Sequence, residues 1–253
     1  MKTRQWVLML MVVILAPETG RAQQGTATAS SSRIHVGGYV SYVPWLVATE
    51  GASVRLTSEA DRSPLPSLVQ YTSENRSRTF GLGLVVSSRA PIDPPIQPQL
   101  GLGVIFSENM RMLEGSLGGA FVLESDISVS AGLQVLLGYL WGELGHVGST
   151  SGDIYLIAPD GERYEAGSTI DVSGFRVGAE PMVGLQFGDD VQVRVEGGYR
   201  LMAAVGDWSY HVIDGTDVSR RSELPASGFQ ANPPDLGLNG WFMRAALLFS
   251  LIP

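Results

Sequence analysis

Three histidines are the first side chains to weigh for chemistry: His35, His146 and His211. No two stand at a metal-ligand spacing, and the chain has no cysteine, so a zinc site lacks its ordinary ligand set. The segment "HVGST", His146 to Thr150, places hydroxyls near an imidazole, the raw material of a nucleophile and its base. Its spacing matches no nucleophile motif, and Ser, Gly and Thr are ordinary loop residues. "DGTD", Asp214 to Asp217, begins like a calcium loop but lacks the remaining ligands. The G-x-G runs in "TFGLGLVV" and "LGLGVIF" open no helix, which a dinucleotide site requires. No catalytic, cofactor-binding or metal-ligating residue is assigned, and no cofactor is expected.

The most regularly spaced chemical groups are charges. In "VQVRVEGGYR", Val191, Val193 and Val195 alternate with Gln192, Arg194 and Glu196, and Gly198 and Arg200 continue the polar set. Glu114, Arg176, Glu180 and Arg244 hold the polar side of the same period-2 pattern in three other segments. Four arginines and three glutamates nearly cancel, so gathered in one interior they would form a paired network that fills space and does not conduct.

Eight alternating stretches, bounded by Gly, Pro, Asn and Asp clusters, would position these groups: residues 34–43, 78–88, 98–107, 111–123, 126–141, 173–187, 191–204 and 239–252. The connections "APIDPP", "ES" and "GDD" are tight or rigid. Those over 44–77, 142–172 and 205–238 are long and polar, and only 108–110 breaks the trend. Short turns at one rim and long loops at the other are the signature of an up-and-down membrane barrel. Within the second long loop, "IYLIAPDGERYEAG" predicts a hairpin about Pro159-Asp160-Gly161 that exposes Tyr155, Ile157 and Tyr164. The outer loops are acidic, which is read as a solvated rim.

Two features favour lipid outside over a soluble barrel with an aliphatic interior. The polar faces are rich in glycine and alanine, which suit a cramped eight-stranded lumen. The stretches also exceed the average globular strand of about 5–6 residues and match the roughly 9–11 needed to span a bilayer. All four tryptophans beyond residue 22 (Trp45, Trp141, Trp208, Trp241) fall at strand ends on the long-loop side, and Phe121, Phe187 and Phe249 fall near the other rim. Aromatic girdles at both interfaces are expected of such barrels.

The first residues read as a secretory signal peptide over 1–22: Lys2 and Arg4, the apolar run Trp6 to Ala16, and Gly20-Arg21-Ala22. A polar linker, 23–32, precedes the barrel, 33–253. Removing 1–22 takes three bases and one acid from a formal charge of −8, leaving −10 with arginine as the only base. An acidic chain without a basic run argues against nucleic-acid binding.

On these features the chain resembles the small eight-stranded outer-membrane barrels of Gram-negative bacteria, the OmpA/OmpX-like "outer membrane protein β-barrel" superfamily. The resemblance implies an all-β, eight-stranded antiparallel up-and-down transmembrane barrel, inserted by the barrel-assembly machinery. It also implies contact with outer-membrane lipid and lipopolysaccharide, a monomeric state, and a structural, adhesive or surface-interaction role without catalysis. Two departures stand out. Phe249 lies four residues before the last residue, where such barrels end in an aromatic, and Pro181 interrupts the sixth strand, where a bulge or a shifted boundary is expected. Three other readings stay open: a lipid A modifying hydrolase using His146 and a nearby serine, a small diffusion channel, and a soluble periplasmic barrel binding an apolar ligand.

Overall fold

The computed structural model describes residues 33–43, 55–58, 64–66, 79–88, 96–107, 109–123, 125, 127–147, 154–225, 236 and 239–251. The expected signal peptide (1–22), the linker (23–32) and Trp45 lie outside the described residues. Eight long strands dominate: β1 (Ile34–Tyr42), β2 (Phe80–Ser88), β3 (Ile96–Phe106), β4 (Met110–Leu123), β5 (Ser128–His146), β6 (Thr169–Phe187), β7 (Val191–Ile213) and β8 (Gly240–Ser250). Each pairs antiparallel with the next, and β8 pairs with β1, so the sheet closes with no free edge. No described helix is long and apolar enough to cross a membrane.

The wall is apolar on the outside. Leu82 and Leu84 of β2, Leu102 of β3, Leu133 and Leu137 of β5, Val183 of β6, Val195 of β7 and Met243 of β8 are all exposed. Among described strand residues, outward charges occur only at or beyond the aromatic level of the long-loop rim, beginning with Arg111, which is paired opposite Trp141. A continuous apolar surface around all eight strands far exceeds the few hundred Å² that soluble monomers leave in water. In the middle of the molecule the described interior is held mainly by buried charges, with a small apolar group of Tyr39, Val85, Ala246 and Leu248, and not by the continuous aliphatic lining of a soluble lipid-binding barrel. The fold is therefore a transmembrane β-barrel.

Three strands run further than the sequence pattern suggests. β5 continues to His146, β6 begins at Thr169 and β7 continues to Ile213. A bulge lies at this step: from Phe175 to Ser173 on β6 the partner residue moves from Val205 to Ser209 on β7. Gly206 takes up the turn with φ +79°, a left-handed conformation open to glycine at little cost. Two residues are gained, so the inward and outward faces are preserved.

Pro181 produces no bulge. Its register with β5 is unbroken (Glu180↔Gln134, Pro181↔Leu133, Met182↔Gly132). Toward β7 the pairing resumes in the same frame, from Ala179↔Leu201 to Met182↔Gly198. The missing N–H interrupts the ladder locally without displacing the strand, and the exposed ring joins the apolar wall. Pro98 is likewise accommodated within β3, opposite Gly119.

Beyond the barrel, Ile154–Ile157 pairs with Arg163–Tyr164 in a hairpin, and Arg55–Ser58 joins the same small sheet together with Pro64–Pro66. Arg221–Glu223 extends the sheet beside β7. Gly161 (φ +88°) makes the expected hairpin turn, but Tyr155 and Tyr164 are buried, leaving Ile157 as the exposed member of the three. Tyr164 joins the buried apolar cluster that includes Val172, Tyr210 and Val212 of the barrel and shares a 2.6 Å hydrogen bond with the Ser222 hydroxyl, while Tyr155 lies under the Arg163 guanidinium.

Candidate functional site

Inward parity places Glu114, Arg176, Glu180, Arg194, Glu196, Arg200 and Arg244 inside the barrel, each 6 % exposed or less. Strand stagger then decides which of them meet. Arg200 of β7 is the hub. Its Nε donates to Glu180 Oε1 at 2.6 Å, and its Nη1 lies 2.7 Å from Glu114 Oε2, so one guanidinium joins β6, β7 and β4. Arg244 of β8 donates to Glu180 Oε2 at 3.0 Å and stands 3.5 Å from Glu196 Oε2. Arg194 donates to Glu196 Oε1 at 3.4 Å and to the Ser87 hydroxyl at 3.1 Å. Every carboxylate in this set faces a guanidinium, which offsets much of the cost of removing the charges from water.

Arg176 stands apart, nearer the long-loop end. Its guanidinium lies 3.9 Å from the centroid of the Trp208 ring and donates to the Leu236 carbonyl. Trp208 thus packs inward against the buried apolar cluster and does not join an outer girdle. Its even number on β7, shared with Arg200 and Met202, carries this signal, whereas position at a strand end does not.

A chain of amides missed by the search for charges continues the network toward the short-turn rim. Gln192 donates to Gln186 at 3.0 Å, Gln186 to Gln97 at 3.0 Å, and Gln97 to Ser87 at 3.3 Å. Gln134 donates to Gln99 at 2.9 Å and accepts from Arg244 at 3.2 Å. Beside the charges, with its ring centroid 4.9 Å from the Arg244 guanidinium, Tyr39 lies across β2 and β3. A Cβ on Gly103 would fall 2.1 Å from its hydroxyl, and one on Gly83 2.4 Å from its ring. Glycine is what admits this ring to the lumen. Above it, Met112, Leu136, Leu140, Met202 and Phe242 form a buried apolar layer continuous with the cap. The lumen is filled from an amide layer through ion pairs to hydrocarbon.

The outward aromatics form two groups. Trp141 and Trp241 are at the long-loop rim. The Trp141 ring stacks on Tyr139 at 6.0 Å, Tyr139 meets Phe175 at 4.8 Å, and Trp241 meets Tyr199 edge-on at 5.3 Å. Tyr42 and Phe80 add a further pair at 5.8 Å. Phe121, Phe187 and Phe249 are exposed near the opposite rim.

The residues weighed for catalysis and metal binding are placed as follows. His35 is buried at the short-turn end, 3.1 Å from the Asp189 carbonyl. His146 Nε2 lies 2.9 Å from Glu143 Oε1, while Ser149 and Thr150 fall outside the described residues. Asp214 accepts from the Thr216 hydroxyl at 2.6 Å and pairs with Arg220 at 2.8 Å; Asp217 accepts from the Ser219 hydroxyl at 2.6 Å. "DGTD" is thereby a pair of self-satisfied turns, and the described residues hold no group of three or more His, Asp or Glu able to bind a metal.

No family model and no curated protein matches the sequence. Among solved structures, the chain is similar to a major outer membrane protein from Thermus thermophilus, with 10% sequence identity, a TM-score of 0.49, and coverage of 86% of this chain and 99% of that one. The assignment as a transmembrane barrel rests on the closed ladder and its apolar wall.

Proposed function

We propose that the chain is a monomeric, non-conducting protein of a Gram-negative outer membrane, related to the OmpA/OmpX-like barrels. It would be exported by its first 22 residues and inserted by the barrel-assembly machinery. Its role in this reading is structural or adhesive: the barrel anchors a rigid external platform against lipopolysaccharide or a partner outside the cell, and no catalysis is assigned. One observation carries the non-conducting part. The cross-linked cluster of Arg194, Glu196, Arg200, Arg244, Glu114 and Glu180 spans the lumen between an amide layer and an apolar layer, which opposes a diffusion channel.

Planar-bilayer recording on the purified protein tests this reading, together with heat-modifiable migration of outer-membrane fractions. The expected result is a boiling-dependent band shift with no stepwise conductance. Steady ion conductance overturns the plugged lumen, and recovery of the protein in the soluble periplasm overturns the membrane assignment.

A further inference from the structure

At its short-turn end the barrel buries a titratable ring. His35 of β1 points inward and is 4% exposed, and its Nε2 lies 3.1 Å from the Asp189 carbonyl in the turn between β6 and β7. A carbonyl only accepts, so the neutral ring carries its proton on Nε2 and presents a bare lone pair at Nδ1. Nδ1 is buried too, and no described group bonds it. Two backbone bonds flank the contact: Ser250 N–H to the Asp190 carbonyl at 2.8 Å, and Leu251 N–H to the Ile34 carbonyl at 2.9 Å. His35 thereby ties the first strand to the β6–β7 turn across the end of β8.

The ring lines a chamber of about 50 Å³ together with Gln97, Gln186, Gln192, Ser128 and Asp189. That is room for a few water molecules, each needing roughly 10–15 Å³. Asp189 is exposed, so the chamber meets solvent at the short-turn rim. Its far wall is a closed circuit of hydrogen bonds. Gln192 donates to Gln186, Gln186 to Gln97 and Gln97 to Ser87, and Arg194 donates to both ends, at 3.2 Å to Gln192 and 3.1 Å to Ser87. Every amide oxygen in the circuit already accepts a bond. Among the described residues, the charged groups around the ring are Arg33 on its own strand, Asp189 and Asp190 on the turn, and Arg194 behind the amides. Its ladder partners, Ser87 of β2 and Ser250 of β8, carry no charge.

We propose that His35 is a proton-operated latch on the short-turn mouth of the barrel. With the ring neutral, Nε2–H holds the Asp189 carbonyl and Nδ1 accepts from water in the chamber. A proton delivered by that water turns Nδ1 into a second donor, and the imidazolium keeps its hold on Asp189. The acceptors lining the chamber include the side-chain oxygens of Gln97, Gln186, Gln192 and Ser128. The new donor competes for the amide oxygens with Gln186, Gln192 and Arg194, and a charged donor makes the stronger bond. The circuit therefore reorders when the medium at that rim becomes acidic, while the ion pairs deeper in the lumen stay as they are. None of this depends on a structural or adhesive role outside the cell.

Nuclear magnetic resonance of the full-length protein in detergent micelles, with isotope-labelled histidine and glutamine, tests the latch. The titration runs from about pH 8 to about pH 5, the range in which an imidazole changes charge. The expected starting state is an Nε2–H tautomer at His35. On acidification the side-chain amide signals of Gln97, Gln186 and Gln192 should move with the midpoint of the His35 ring, while Gln134, bonded to Gln99 and Arg244, stays fixed. His35→Gln, which keeps an N–H for the turn and does not titrate, should hold the three signals still. Asp189→Asn alters the exposed carboxylate, leaves the backbone carbonyl in place and should preserve the response. An Nδ1–H tautomer, or a ring that stays neutral throughout, overturns the proposal. So do glutamine signals that ignore the His35 titration or that still move in His35→Gln. Loss of the response in Asp189→Asn also overturns it, because the carboxylate would then be the titrating group. Heat-modifiable migration of each variant reports separately on the barrel, so a missing response with an intact band shift removes the latch alone.

Discussion

The same three strands build two regions with opposite chemistry. In the membrane section of β6, Glu180 and Arg176 are buried while Val183 and Val177 face out. Beyond Phe175, on the same strand and with the same alternation, Val172 and Ile170 are buried and Asp171 faces out. β7 repeats the change, from buried Arg194 and Arg200 to buried Tyr210 and Val212. The bulge at Gly206 marks the step but keeps the parity of the faces; what changes across it is the surrounding medium. Water covers the outer part and favours an apolar interior there, whereas acyl chains cover the lower part and leave the lumen as the refuge for charge. The level at which the side chains exchange places, marked by Tyr139, Trp141 and Phe175, locates the bilayer surface on the molecule.

The comparison breaks most sharply at Arg200. Replacing it by Met leaves Glu114 and Glu180 facing each other, buried, without their shared cation. The expected loss is about 3–5 kcal/mol, read as a lower urea midpoint for unfolding from lipid vesicles. The triple variant with Glu114→Gln and Glu180→Gln should regain most of it, because amides can bond without a counter-charge. A triple variant as unstable as the single one would show that Arg200 acts by filling volume and not by pairing.

A matched pair of arginines sharpens the boundary between the regions. Leu133 lies near the middle of the wall and is 53% exposed, so Leu133→Arg should cost about 2–4 kcal/mol in a bilayer. Thr169→Arg, outward on the extension of β6, should change stability by no more than about 0.5 kcal/mol. The same urea titration reads both. Equal costs at the two positions would remove the bilayer from the account of the wall.

Much of this arrangement is legible in the chain, because period 2 assigns each side chain to a face one residue at a time. Parity puts Arg194, Glu196 and Arg200 on one side of their strand without any structure. It cannot say that Arg200 reaches Glu114 across the lumen, since that contact depends on the stagger between β7 and β4. The amides of Gln97, Gln99 and Gln186 were invisible as network members for a related reason: on a polar face, an amide bonded across a lumen and one bonded to water have the same sequence. The extensions of β5, β6 and β7 were hidden by the exchange of faces itself. A pattern followed as "aliphatic outside" stops at the rim, where the aliphatics move inside, and Gly206 reads as a strand end when it is a bulge. Tyr155 and Tyr164 look exposed in a hairpin read alone; the surface they cover comes from segments far away in the chain.

The smallest effect belongs to the exposed turn of the cap, where charge is met by water and turn geometry instead of by a closed lumen. Asp214 is held below the ordinary carboxylate range chiefly by the hydroxyl and backbone of Thr216, with Arg220 contributing, and Asp217 chiefly by the hydroxyl and backbone of Ser219. Groups with lowered folded values stabilise the turn at pH above the unfolded aspartate value, near 3.9, and lose that contribution as pH falls through the folded values. The amide resonances of Thr216, Asp217 and Ser219, which donate to these carboxylates, should therefore titrate together at a pH below that of a free aspartate. Amides of the membrane wall, such as that of Leu247, should stay fixed over the same range. Asp217 is exposed and Asp214 is covered only in part, beside Arg220 at the surface, so global unfolding should not follow the titration. A midpoint at the free-aspartate value would mean that the turn bonds do not hold in solution, and the cap would then owe its order to the buried tyrosines alone.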